Sequence, residues 1–332
     1  ALLPIAAGLL SIASTLALLR LANTVEPISV FALNLVTGAG LGLAIDYSLL
    51  LVTRYREELA RIGPGADALR RTLETAGKTV AYSAVTVAAA FASLLVFPLA
   101  FLRSMAIGGM IVAPFAGLVA LVVVPACFTL LGPRLSIRTK HGEGGWYRFA
   151  HAVMRRPLPI AAGAAAVLVA LGLPFLGVRF TGVDATVLPK SASARQVQDR
   201  LGVTQAEHVV GPRAAAAEIA RMPGVERVTR PQKLGEALWT FEVTPAAQSM
   251  SSEAKNVVRR IREMPGVSVA GSTAWYLDTS RSLLDHLPFA LAILGLSVAV
   301  LLYLVTRSVV LPLKAILMNA LSLSAAFGAC AD

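Results

Sequence analysis

Seven apolar runs, each close to the roughly 20 residues that a helix needs to cross a bilayer, constrain this chain more than any other feature. They fall at 1–19, 30–52, 79–99, 104–130, 158–177, 287–306 and 309–329. With 56% hydrophobic and only 15% charged residues over 332 positions, and a mean hydropathy of +0.70, most of the chain belongs in lipid.

The formal charge of +11 could mark a nucleic-acid partner, so the placement of the basic residues decides. They flank the apolar runs, which is a membrane-topology pattern and argues against nucleic acid. One basic stretch, after the second run, holds Arg54, Arg56, Arg61, Arg70, Arg71 and Lys78; another, before the fifth, holds Arg134, Arg138, Lys140, Arg148, Arg155 and Arg156. Short loops this basic stay cytoplasmic, and the two crossings between them are self-consistent. The connections near Asn23 and Phe101, and by helix parity the long polar insertion 178–286, are then expected outside.

The expected organisation is membrane helices over 1–130, a basic cytoplasmic loop with an amphipathic segment over 131–157, a helix over 158–177, an extracytoplasmic domain over 178–286, and helices over 287–332. The chain opens directly in an apolar run, with no initiator Met and no signal-peptide pattern, so its N-terminus is expected to lie upstream.

Inside 178–286, a helix-like run ends in Met-Pro-Gly-Val twice, as AAAAEIARMPGVERVTR and as EAKNVVRRIREMPGVSVAG. With ALWTFEVTP as a strand between them, the order is helix, strand, strand, helix, strand. That order fits a ferredoxin-like α/β domain whose first strand has no clear candidate.

The second run, SVFALNLVTGAGLGLAIDYSLLLVTRYREEL, carries Asp46 about two turns from its basic end. A carboxylate at mid-helix costs about 2.5–3.5 kcal/mol to insert, and proton carriage is the commonest role that compensates. Desolvation raises a carboxyl pKa toward the range a relay needs. Tyr47 can donate a hydrogen bond beside it; a static bond that only aids packing is the alternative. Gly38 and Gly42 stand in GxxxG spacing, which lets a neighbouring helix approach. In the third run, Tyr82, Ser83 and Thr86 either bond across helices or satisfy their own i−4 carbonyls.

Other chemistry finds little support. Cys127 and Cys330 lie in apolar stretches and read as small packing residues. Asp184, Glu207 and His208 make no metal or nucleophile set, and no phosphate-binding loop is present, so neither an enzyme nor a bound cofactor is expected. GWYRFAHAVMRRP reads as an amphipathic interfacial helix on the cytoplasmic leaflet, with a protein-binding helix as the alternative.

LLPIAAGLLSIASTLAL near the start is echoed by LPLKAILMNALSLSAAFG near the end, which suggests a transporter of two similar halves. Carried by the offset from Pro4 to Pro312, the counterpart of Asp46 falls beyond Asp332.

The run SVFALNLVTGAGLGLAIDYSLLLVTRYREEL followed by GKTVAYSAVTVAAAFASLLVFP resembles the MmpL family of the resistance-nodulation-division (RND) superfamily. The resemblance covers nearly the whole chain and implies an RND-like bundle, with about seven of twelve helices present and 178–286 as a porter domain. It also implies export of lipids or other hydrophobic molecules across the plasma membrane, driven by the proton gradient, with Asp46, Tyr47 and Ser83 in the relay. The Asp-Tyr pair would face a matching pair on a helix outside this chain. Implied partners are membrane lipids and a cell-envelope lipid cargo, with a homo-oligomer or accessory envelope proteins as further candidates. The competing expectation is a non-transporting accessory protein, similar to SecD/SecF factors or sterol-sensing proteins, whose external domain binds partners.

Overall fold

The computed structural model describes residues 2–131, 145–174, 188–193, 195–197 and 205–329. It divides into two compact units, one of residues 1–177 with 286–332 and one of residues 178–285.

The first unit is helical: α1 (Leu2–Ala22), α2 (Val30–Ile62), α3 (Ala66–Thr72), a π-helical turn Leu73–Gly77, α4 (Lys78–Ala92) with a 3-10 turn Ser93–Val96, and α5 (Ala100–Leu131). After α6 (Gly145–Arg155) and α7 (Pro157–Gly172), the chain returns to this unit along α10 (Ser272–Thr306) and ends in α11 (Val310–Ala329). Among the described residues six helices are long and apolar enough to span a membrane, or seven if the bent pair α6–α7 counts as one span.

Small and branched residues make the bundle tight. Val36, Ala44 and Leu51 of α2 are buried with Val112, Ala116 and Val124 of α5 and Val80 of α4. At Gly40 a Cβ would lie 2.9 Å from Val112 Cγ2 and 3.3 Å from Ile12 Cγ1, so a hydrogen at that position is what lets α1, α2 and α5 converge. Tyr55 stacks on Phe128 with ring centroids 4.3 Å apart, locking the far end of the α2–α5 seam. At the other end Ser104 Oγ accepts from the Ser29 N–H at 3.1 Å, while Ser29 Oγ accepts from the Phe31 N–H as the α2 cap.

The stretch 53–78, expected as a basic loop, is mostly helix. RYREELARI continues α2, supported by the i,i+4 ion pair Arg54–Glu58 at 2.7 Å, and Arg70–Glu74 at 2.8 Å likewise ties α3 to the π-helical turn. At 33 residues α2 is about 50 Å long, which exceeds a hydrocarbon core of about 30 Å and leaves its charged end outside. Arg54 also donates through Nε to Thr75 Oγ1 at 3.2 Å, tying α2 to the π-helical turn, and it pairs with exposed Glu57 at 2.9 Å. Glu58 is 2% exposed. Glu58→Ala is expected to lower stability by about 2 kcal/mol, less than a fully buried pair because Arg54 is partly solvated. Denaturation in detergent checks this against Glu57→Ala, which should cost little; equal small effects would contradict it.

The second unit is α/β: β1 (Glu207–Gly211), α8 (Arg213–Ile219), β2 (Val225–Val228), β3 (Gln232–Lys233), β4 (Trp239–Pro245), α9 (Ser252–Arg262) and β5 (Ser268–Ala270). The antiparallel order β2–β4–β1–β5, with two-residue β3 also on β4, is the ferredoxin-like arrangement. The first strand is EHVVG: alternation buries Glu207, Val209 and Gly211 and pairs His208 with Glu242 across the ladder. Val209, Phe241 and Val243 meet Ala215, Ala216 and Ile219 of α8 and Val257 and Ile261 of α9 in one core. Both Met-Pro-Gly-Val repeats turn at their glycines, Gly224 with φ +91° and Gly266 with φ +73°.

One boundary differs from expectation. The apolar run expected at 287–306 belongs to a helix that already begins at Ser272. Its polar first turns are anchored by β1: Glu207 Oε1 accepts from the Thr273 N–H at 2.8 Å and Oε2 from the Ala274 N–H at 3.3 Å. Residues 132–144 and 175–187, which hold much of the expected cytoplasmic loop and the end of the expected fifth span, lie outside the described residues, as do Asp184 and Cys330.

Candidate functional site

Asp46 and Tyr47 are neighbours on α2, so their side chains leave the helix about 100° apart. Tyr47 turns inward and is 5% exposed; its phenol donates to Ser83 Oγ of α4 at 3.3 Å. Thr15, Thr37 and Thr86 instead return their hydroxyls to i−4 carbonyls, so Ser83 stands apart in meeting a side chain of another span. Ser48, one residue further, is fully buried with an unpaired hydroxyl among the described residues.

Asp46 faces away from the core and is exposed. Among the described residues no hydrogen bond or ion pair reaches its carboxylate. Asn34, Gly38 and Gly42 precede it at four-residue steps and are exposed too, so the four form one open strip along α2. A Cβ on Gly38 or Gly42 would meet nothing within 4 Å. Among the described residues a close approach to α2 is made at Gly40, which points the other way, while Gly38 and Gly42 leave the face that leads to the carboxylate flat. The structure therefore joins two of the three expected relay residues, Tyr47 and Ser83, and sets Asp46 beside them on an open, small-residue face.

Chemically, the site holds a carboxyl within an apolar span, with a hydrogen-bonded phenol–hydroxyl pair beginning one residue along the helix. Among the described residues no group of His, Cys, Asp and Glu could hold a metal ion. Glu207 is structural: it caps α10.

The profile of the MMPL family matches residues 1–160 and 237–331, which takes in α1 to α6, β4, α9, β5, α10 and α11. The chain belongs to the MMPL family. The Streptomyces coelicolor membrane protein SCO6666 is 35% identical over 341 residues, covering 98% of this chain and 48% of that protein. The trehalose monomycolate exporter MmpL3 of Mycolicibacterium smegmatis is 31% identical over 395 residues, covering 98% of the chain and 39% of its own length. The mycolic acid-containing lipids exporter MmpL11 of the same organism is 28% identical over 374 residues, again with 98% of this chain covered but 38% of that protein. The MMPL chain described here thus spans less than half the length of these relatives. Among solved structures, SecDF, a translocon-associated membrane protein from Thermus thermophilus, aligns with 98% of the chain and 46% of its own at a TM-score of 0.44 and 18% identity. As an MMPL member it is a multi-pass protein of the cell membrane, an α-helical bundle with a porter-like α/β domain.

Proposed function

We propose that the protein to which this chain belongs exports lipids or other hydrophobic molecules across the plasma membrane using the proton gradient, with Asp46, Tyr47 and Ser83 in the relay. The observation that carries this reading is the exposed carboxylate of Asp46 in an apolar span beside the Tyr47–Ser83 hydrogen bond. An unpaired carboxyl on an open helix face is too costly in lipid to be ornamental, and it can be satisfied by a helix that docks on the Asn34–Gly38–Gly42 strip. That helix would complete the site and could carry a matching acid. Lipid cargo is supported by the named activities of the MmpL3 and MmpL11 relatives. The protein acts here as a secondary transporter and makes or breaks no covalent bond in its cargo.

The mechanism needs three steps of the relay. Asp46 takes up a proton from the side of higher proton concentration and becomes neutral, which removes the cost of its charge. The neutral and charged forms favour different packing of the partner helix, so protonation shifts the bundle between two states. Release to the other side restores the charge. Tyr47, whose phenol donates to Ser83, keeps a polar hydroxyl pair at a fixed place next to the carboxyl along the helix.

Tyr47→Phe removes the phenol hydroxyl and its bond to Ser83 while preserving the ring packing, and it is expected to slow export about tenfold; Ser83→Ala should act in the same direction but less. The measurement is movement of a labelled lipid by the full-length protein in proteoliposomes with an imposed pH gradient. Export that proceeds equally with and without the gradient would overturn the proton coupling.

A further inference from the structure

The helix α6 and its bend into α7 point to a lipid-binding function separate from the relay. The axes of the two helices turn by 100° at Arg156, whose φ of −135° and ψ of 63° leave the helical region. Pro157, at the first position of α7, has no N–H to continue the hydrogen-bond ladder of α6, so the break is built into the sequence. The apolar helix α7 packs along α11, itself long and apolar enough to span. A helix set at right angles to a membrane-crossing one runs close to the plane of the bilayer.

Two faces of α6 differ sharply in chemistry. Phe149, Ala150, Val153 and Met154 occupy one side, and Tyr147, Arg148, His151 and Arg155 the other. A pocket of about 620 Å³ lies on the basic side, lined by Tyr147, Arg148, His151, Ala152, Arg155 and Arg156. Among the described residues none of Arg148, Arg155 and Arg156 has a carboxylate partner. Over 134–156 the sequence holds Arg134, Arg138, Lys140, Arg148, Arg155 and Arg156 against Glu143 alone, so charge neutralisation must come from outside this segment.

We propose that α6 lies in the headgroup layer of the bilayer and binds the phosphates of anionic phospholipids through Arg148, Arg155 and Arg156. With its apolar side sunk to the acyl boundary, a helix of this kind carries its basic side at phosphate depth. Planar guanidinium forks match phosphate oxygens in pairs, and polybasic segments at a membrane surface gather anionic lipid. Arg156 sits at the bend itself, so a bound headgroup would brace the angle between α6 and the span.

The test uses the full-length protein in nanodiscs, with Met154→Cys carrying an environment-sensitive fluorophore and the other cysteines replaced by serine. Quenching is compared between phosphatidylglycerol and phosphatidylcholine, each spin-labelled near the headgroup and present at the same mole fraction. The proposal predicts quenching by both lipids, about threefold stronger for phosphatidylglycerol. In the Arg148→Gln, Arg155→Gln, Arg156→Gln triple variant, the preference falls to about one while quenching persists. Equal quenching by the two lipids in the unsubstituted helix would overturn the phosphate site. No quenching by either, as when α6 docks on another protein, would overturn the membrane placement. The wild-type comparison stands by itself if the triple variant fails to insert.

Discussion

Asp46→Asn in the full-length protein is expected to abolish lipid export, by at least about a hundredfold, while leaving the amount of protein in the membrane unchanged. The carboxamide keeps the size of the side chain and its ability to hydrogen-bond, but it neither gains nor loses a proton near neutral pH. Folding of the region should not suffer. The core of α2 is built from Val36, Gly40, Ala44, Tyr47 and Leu51, on the side away from Asp46. No hydrogen bond among the described residues depends on the carboxylate, and removing a charge from an apolar span lowers the cost of insertion. Export assayed in cells, alongside immunodetection in membranes, separates the two effects. Normal export by the variant would sink the relay; lost export together with lost protein would mean that Asp46 serves folding instead.

The second large effect is expected far from the relay, at the start of α10. Glu207 is 1% exposed, and its carboxylate accepts from the Thr273 and Ala274 N–H groups and, at 3.4 Å, from the Ser272 hydroxyl. These donors are among the unsatisfied amides of a helix N-terminus, whose dipole also favours a negative charge. Gly271 makes room for the contact: its φ is +148°, and a Cβ there would lie 2.2 Å from Glu207 Oε2. Glu207→Ala strips a buried cap and leaves amide donors unpaired, at a cost of about 2–4 kcal/mol. Gly271→Ala should produce a similar loss by expelling the carboxylate. Hydrogen exchange in the purified protein is the readout: the amides of Thr273 and Ala274 should exchange at least about thirtyfold faster in either variant. Unchanged protection in both would show that the helix start is held by something other than this cap.

The membrane-spanning runs could be read from the sequence because lipid imposes one requirement, a long apolar stretch with its backbone bonds closed internally, and α1, α2, α5 and α11 obey it plainly. Asp46 stood out for the same reason, as the exception to that rule. What could not be read was orientation. The GxxxG spacing of Gly38 and Gly42 suggested close packing, yet spacing alone does not say which side of a helix its neighbours in this chain occupy; here α1 and α5 approach at Gly40, between them. Likewise Ser83 could have bonded to its own helix, as Thr86 does, and only the placement of α4 against α2 brought it to Tyr47.

In the α/β unit the repeats revealed two helix–strand pairs, but β1 went unrecognised. EHVVG is short and begins with two polar residues, and its inward-facing Glu207 hides the usual alternation. The same residue explains why α10 begins well before its apolar run. STAWYLDTSRSLLDHL is polar enough to pass for domain surface, and its helical state depends on a cap supplied from more than sixty residues earlier in the chain. Arg262 of α9 adds to the hold on this segment, donating to both oxygens of Asp278, at 2.7 Å to Oδ2. That bidentate contact keeps the guanidinium pKa above its ordinary value.

Proton movement is the most direct test of the account. The full-length protein, reconstituted in vesicles with a pH-sensitive dye inside, is given a pH gradient and a transportable lipid. The relay predicts lipid-dependent proton flux in the wild type, a slower flux in Tyr47→Phe, and none above the vesicle leak in Asp46→Asn. Wild-type flux in Asp46→Asn would contradict it.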